Sequence, residues 1–382
     1  MILAAASLLL TACHIYDDYM YGPDGEQKVR VSFVLALGSS DDPFTRAESW
    51  DPDDPTDDDD NLGYDPKAIG DSYDNMIDPG TLQVVFYRTV GDFVGKVDNL
   101  NYRQVGSTDE DWNLYEFTGT LLLDEELADS EITYKMMVFA NMPETQRQIV
   151  GGGAPVSSLD DLKFTRFDVD GLVKDTDYIP MWGVKTVELN LSEGSGTKDL
   201  GTVYVLRAMA KVEVKLSEAL SDGGYTLTSM TMNNLNAQGY CLPAGAGAKA
   251  HTELLDLVDC MRPFDTRIET NIVSKGDGDT GKSLVMYVPE YTNVSSLYPA
   301  TIGLTLQHND NGVITELAPA SMIEFKNYGS DGKPKEESDY NIIRNHNYVF
   351  EITGINAGED GLKFLVAIED LELGGRYGFE FE

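Results

Sequence analysis

Residues 276–283 read Gly-Asp-Gly-Asp-Thr-Gly-Lys-Ser, the spacing of a phosphate-binding loop. That chemistry needs a helix directly after the loop, so that backbone amides and the helix dipole meet the anion. Here Ser283 to Val288 reads as a strand, and Asp277 and Asp279 would repel phosphate, so the stretch is a hairpin turn. His14, His251, His308 and His346 are scattered, and none sits in a zinc-protease pair or beside a serine elbow. Carboxylates are abundant, yet nothing in their spacing singles out a pair. Trp50, Trp112, Trp182 and 20 tyrosines offer area for stacking on sugars. In a β protein most such rings belong to the core or the sheet surface. No catalytic residue, cofactor or metal site is assigned.

The chemistry that can be assigned is that of processing. Leu10-Thr11-Ala12-Cys13 has the form of a bacterial lipobox, with small residues ahead of a cysteine whose sulfur is acylated and whose amine becomes the new N-terminus. Residues 1–12 are then the signal peptide. They are apolar, carry no Lys or Arg, and are too few to span a bilayer. Either the true start lies upstream or the signal is atypical. From Gly38 to Gly63 the chain is acidic, and Arg46 is its only basic residue. Pro43, Pro52 and Pro55 keep this stretch extended, and Asp57 to Asp60 repel one another and stay solvated. Arg46-Ala47 is therefore a candidate cut site in an accessible loop. The acidic run lacks the ordered spacing and glycine of an EF-hand loop, so a solvated linker is the default over a calcium site. Export permits a disulfide between Cys241 and Cys260, but two cysteines do not make a framework, and two ordinary thiols are the simpler reading.

Strands must position these sites. Val29, Val31, Phe33, Leu35 and Leu37 are large and apolar at period two, with Arg30 and Ser32 between them. That is a strand with one buried face. Burying five such side chains is worth on the order of 10 kcal/mol by transfer bookkeeping, an upper estimate. The strand should therefore be docked in the core. Further strands are expected at 81–87, 114–123, 132–141 (buried on both faces toward its end), 184–191 and, as the longest, 203–216. Others follow at 225–233, 283–288, 301–307, 313–317, 347–352 and 362–368. Ser157 is placed to cap a short helix over Leu159 to Leu162, and another is expected at His251 to Met261. At the end, Tyr377, Phe379 and Phe381 share one face of an amphipathic strand within 376–382. It is either an ordinary final strand of its own domain or one free to be donated.

A length of 382 residues suggests two domains. The net charge of −37 is a poor match for nucleic acid or anionic headgroups, which need clustered cations. Many short strands with Gly, Asn and Asp turns indicate an all-β chain of antiparallel sandwiches with a few short helices. The expected layout is a signal peptide at 1–12, a lipidated leader with a removable strand at 13–47, and two domains at 48–198 and 199–382.

The order of lipobox, strand, Arg-Ala site, two β domains and terminal strand resembles the fimbrillins, the type V pilus subunits of Bacteroidales. Asp17 and Asp18 after Cys13 resemble the surface-export signal of Bacteroidetes lipoproteins. Ile179-Pro180-Met181-Trp182-Gly183, Leu206-Arg207-Ala208-Met209-Ala210-Lys211-Val212 and Arg344-Asn345-His346-Asn347-Tyr348 resemble that family's segments in their order. The resemblance implies two transthyretin-like Greek-key β-sandwich domains and no enzyme activity. It also implies a lipid anchor in the outer membrane, a cut by an Arg- or Lys-specific protease after the first strand, and assembly with other subunits by β-strand addition on the cell surface. A host or bacterial surface receptor would be the adhesion partner. The terminal strand offers three large side chains where the leader offers five, which leaves a tip or anchor role open. A non-polymerising surface lipoprotein that binds glycan is the other alternative.

Overall fold

The computed structural model describes residues 20–21, 27–37, 76–104, 115–123, 132–165, 178–189, 196–246, 267–268, 272–274, 281–318, 322–328, 334–356 and 361–370. The chain is all-β. Its described α-helices are short: Glu144–Gly151, Val156–Leu159 and Glu218–Asp222. The expected Ser157 cap is absent. That helix starts earlier, after Pro155, and has no side-chain cap. Proline supplies the start because its fixed φ suits the edge of a helix and its missing N–H is not needed there. The helix Glu144–Gly151 was not legible as a pattern, since Val150 is its one buried side chain.

Two cores divide the molecule. The first is surrounded by β1 (Gln27–Leu37), β2 (Gln83–Arg88), β3 (Phe93–Gln104), β4 (Tyr115–Leu123), β5 (Ile132–Ala140), β6 (Met181–Leu189) and β7 (Lys198–Arg207). The sheet runs β1-β4-β3-β2-β5-β6-β7, and β7 pairs back onto β1, so the strands close into a ring. Closure removes the open edges that invite wrong pairing. β5 is buried without a break from Tyr134 to Ala140, so both of its faces are covered there.

β6 and β7 meet only at Met181–Arg207 and Trp182–Leu206. Gly183 follows, and a Cβ there would overlap the Tyr204 carbonyl. The glycine lets two backbones cross at close range where the ring is pinched. Gly183→Ala is expected to cost about 1–3 kcal/mol, the usual range for overpacking. Urea unfolding checks it, and a midpoint equal to wild type would show that the crossing has slack.

The second core lies between two sheets. One runs β10 (Ser283–Val288), β8 (Ala210–Leu216), β13 (His346–Asn356), β14 (Gly361–Asp370). The other runs Ile272–Ser274, β9 (Tyr225–Asn233), β11 (Thr301–Asp310), β12 (Val313–Leu317). Val212, Val214, Met286 and Phe350 from the first sheet pack with Leu227, Met230, Ile302 and Leu306 from the second.

The single long strand expected over 203–216 is two strands. Val203 and Val205 are buried in the first core, Tyr204 is exposed, and the parity then reverses so that Ala210, Val212 and Val214 enter the second core. The handover falls between Met209, the last of this run in the first core, and Ala210, the first in the second. The change of core falls inside Val203 to Leu216, a run with no Gly, Pro, Asn or Asp to signal a turn. The phosphate-loop pattern ends in a turn: Gly281 has φ 81° and Ser283 opens β10, so no helix follows it.

Candidate functional site

The leader strand β1 is held on both edges. β4 pairs with it antiparallel from Gln27↔Leu123 to Leu35↔Tyr115. β7 pairs with it in parallel from Val31↔Lys198 to Leu37↔Val205, with a register shift between Ser32 and Val34. Val29, Val31, Phe33 and Leu35 are 3%, 0%, 1% and 0% exposed. Arg30 points outward, and Ser32 and Val34 are half-buried. The alternation seen in the sequence is thus the alternation of the slot. Leu37 is the Cα partner of Val205, which places its backbone in the same slot.

The slot has a definite shape. Phe33 stacks on Phe117 with ring centroids 5.3 Å apart and planes 11° from parallel. Tyr102 and Tyr115 extend this aromatic row at 6.1 and 6.2 Å from Phe117. Stacked pairs add to area burial and favour an aromatic at this one inward position. No local pattern marks this contact, since only the β1–β4 register brings residues so far apart in the chain together. The parallel partner β7 was equally invisible, because parallel neighbours need a long crossover.

Other proposed positions fall elsewhere. Cys13, Arg46, Ala47, Tyr377, Phe379 and Phe381 lie outside the described residues, as do Cys260 and the Asp57–Asp60 run. Cys241 is a buried free thiol, and burial pushes it up to about 12 against the opposing pull of Arg344. A thiol held protonated at neutral pH is not a nucleophile. Among the described residues, no group of three or more His, Cys, Asp or Glu is placed to hold a metal.

The remaining motifs converge on the handover between the cores. The Ala208 amide donates to the Pro180 carbonyl at 2.8 Å, and the Asn345 amide donates to the Met209 carbonyl at 2.9 Å. Arg207 donates from Nη1 to Asn345 Oδ1 at 3.0 Å. Asn345 adopts φ 58°, a conformation asparagine tolerates better than most residues. Next to it, Arg344 forms a buried two-pronged ion pair with Glu290, at 3.0 Å from Nε to Oε1 and 2.8 Å from Nη2 to Oε2. Its Nη1 and Nη2 also donate to the Cys241 and Tyr240 carbonyls, each at 3.2 Å. These three sequence motifs form a clasp between the two cores. Sequence reasoning missed Glu290, which stands alone after Pro289 with no pattern to mark it.

No protein-family model matches the chain, and no curated protein matches it. Among solved structures, the chain is similar to the C-terminally truncated tip fimbrial protein Mfa3 of Porphyromonas gingivalis, at 12% identity and TM-score 0.49 over 89% of this chain and 99% of that one. It is similar to a putative cell adhesion protein of Parabacteroides distasonis, at 11% identity and TM-score 0.46 over 90% and 98%. It is also similar to a fimbrial assembly protein of the same species, at 11% identity and TM-score 0.44 over 89% and 96%.

Proposed function

We propose that the chain is a structural, non-enzymatic subunit of a cell-surface fimbria, made as a precursor whose first strand occupies its core only until assembly. In this reading Cys13 carries the lipid that holds the precursor on the outer membrane. An Arg-specific protease cuts between Arg46 and Ala47. β1 then leaves, and a strand from another subunit takes its place between β4 and β7. Tyr377, Phe379 and Phe381 are the candidate donor side chains, and each core is a transthyretin-like Greek-key sandwich.

The observation that carries the reading is the position of β1. It closes the ring of the first core and is bonded on both edges. Yet the only covalent path from β1 to the rest of the body runs through the acidic segment with its single Arg46. One cut there turns an integral strand into a non-covalent ligand. Its departure would leave two unpaired edges and an apolar trough, the state to which an extended strand adds.

N-terminal sequencing of protein shed from cells tests the reading. A start at Ala47 is expected, and Arg46→Ala should retain the leader and abolish polymers on denaturant-resistant ladders. Shed polymers that still begin at Cys13 would sink it.

A further inference from the structure

The hairpin between β11 and β12 turns on Asn311 and Gly312, the one Asn-Gly pair in the sequence. Asp310 and Val313 are the last Cα partners of its ladder, so the turn has two central residues. Asn311 and Gly312 take φ 51° and 91°. Positive φ at both positions is what a type I′ turn requires, and Asn-Gly supplies it at low cost. The same pair can cyclise, because the amide nitrogen that follows an asparagine lies one ring closure from its carboxamide carbon. At Gly312 no side chain hinders that closure. Beyond its chain neighbours no atom stands within 4 Å of the place a Cβ would occupy, and both residues are exposed.

Two side chains of the turn hold the reacting groups. Asn309 Oδ1 accepts the Gly312 N–H at 2.9 Å, and Asp310 Oδ1 accepts from Asn311 Nδ2 at 2.8 Å. Asn309 is itself anchored, since its amide donates to the Gly224 carbonyl at 3.0 Å. His308 before it stacks on Tyr225 with ring centroids 4.1 Å apart. Cyclisation must take the proton from Gly312 N and swing the Asn311 carboxamide toward that nitrogen, so both bonds must break first.

We propose that Asn311 is a site of spontaneous deamidation in the folded chain, with Asn309 as the positioning residue that brakes it. Hydroxide takes the proton of Gly312 N, and that nitrogen attacks Asn311 Cγ. The N–Cγ bond forms, the Cγ–Nδ2 bond breaks, and Nδ2 leaves as ammonia with a proton from water. Water then opens the succinimide at either carbonyl carbon, giving aspartate or isoaspartate. No electrons change hands, and water is the only co-reactant. Isoaspartate adds one carbon to the main chain, for which a two-residue turn has no room. β12 then parts from β11 and leaves Leu306 to Asp310 as an unpaired edge. This inference does not depend on the fimbrial reading.

Peptide mapping of the folded full chain during incubation in neutral buffer, with aspartate and isoaspartate forms resolved, is the test. Wild type is expected to gain one mass unit at Asn311, more slowly than the same chain unfolded in guanidinium. Asn309→Ala should speed conversion in the folded chain about fivefold, the value of one neutral hydrogen bond, and leave the unfolded rate unchanged. Asn309→Asp keeps an acceptor oxygen and should stay near wild type. Folded wild type still unmodified when the unfolded chain has fully converted overturns the site. Equal rates in folded and unfolded wild type, or in folded wild type and folded Asn309→Ala, overturn the brake.

Discussion

A chain that starts at Ala47 is expected to lose the cooperative unfolding of its first core and to regain it when a peptide of residues 27–37 is added. The four described inward side chains of β1 are worth about 1.5–3 kcal/mol each when buried, or roughly 6–12 kcal/mol together. That matches the whole net stability of an ordinary domain, about 5–15 kcal/mol. Loss of the strand also strands the ladder groups of β4 and β7, whose N–H and C=O groups need partners. The second core keeps its own sheets and should still unfold as a unit. Calorimetry of the leaderless chain should therefore show one transition where the full chain shows both cores melting. The added peptide should restore the missing one in proportion to its concentration. A peptide with Phe33→Asp should fail, because it places a charge against Phe117 at the centre of the slot. An unchanged melting profile for the leaderless chain would mean that the ring closes without β1, and the strand-replacement reading would fall with it.

Glu290→Gln is expected to destabilise the chain by about 3–5 kcal/mol, the cost of leaving one partner of a buried ion pair uncompensated. Arg344 and Glu290 are 1% and 2% exposed, so water cannot replace the lost charge. The guanidinium would keep one amide oxygen at position 290 and the Cys241 and Tyr240 carbonyls, but no countercharge. The double change Arg344→Met with Glu290→Met should cost less than Glu290→Gln alone, since it removes both desolvation penalties together. Denaturant midpoints of the singles and the double form a cycle that reads the coupling directly. A Glu290→Gln variant within about 0.5 kcal/mol of wild type, the range of an ordinary surface change, would show that the clasp is not held by this pair.

Most of the secondary structure was legible because burial writes its period into the chain. β1 alternates because one face enters a core, and β5 is apolar throughout its second half because both faces are covered. Illegible features fall into two kinds. Helix Glu144–Gly151 buries one side chain, so it leaves almost no periodic trace. The run 203–216 leaves a strong trace that misleads. Its alternation fits one strand, but nothing in the composition says that the core changes between Met209 and Ala210.

By itself the sequence determined that β1 is a strand with one buried face, that its connection to the body passes a lone arginine, and that the chain is a β protein without a recognisable catalytic set. Those are local properties, fixed by side-chain type and spacing. Only the tertiary structure decided what β1 is buried against. Its partners Phe117 on β4 and Val203 on β7 lie far away in the chain, and one of the two ladders is parallel. Tertiary structure also gathered the three separate motifs into one clasp with Glu290. Contacts between remote segments depend on register and sheet order, which no local pattern encodes.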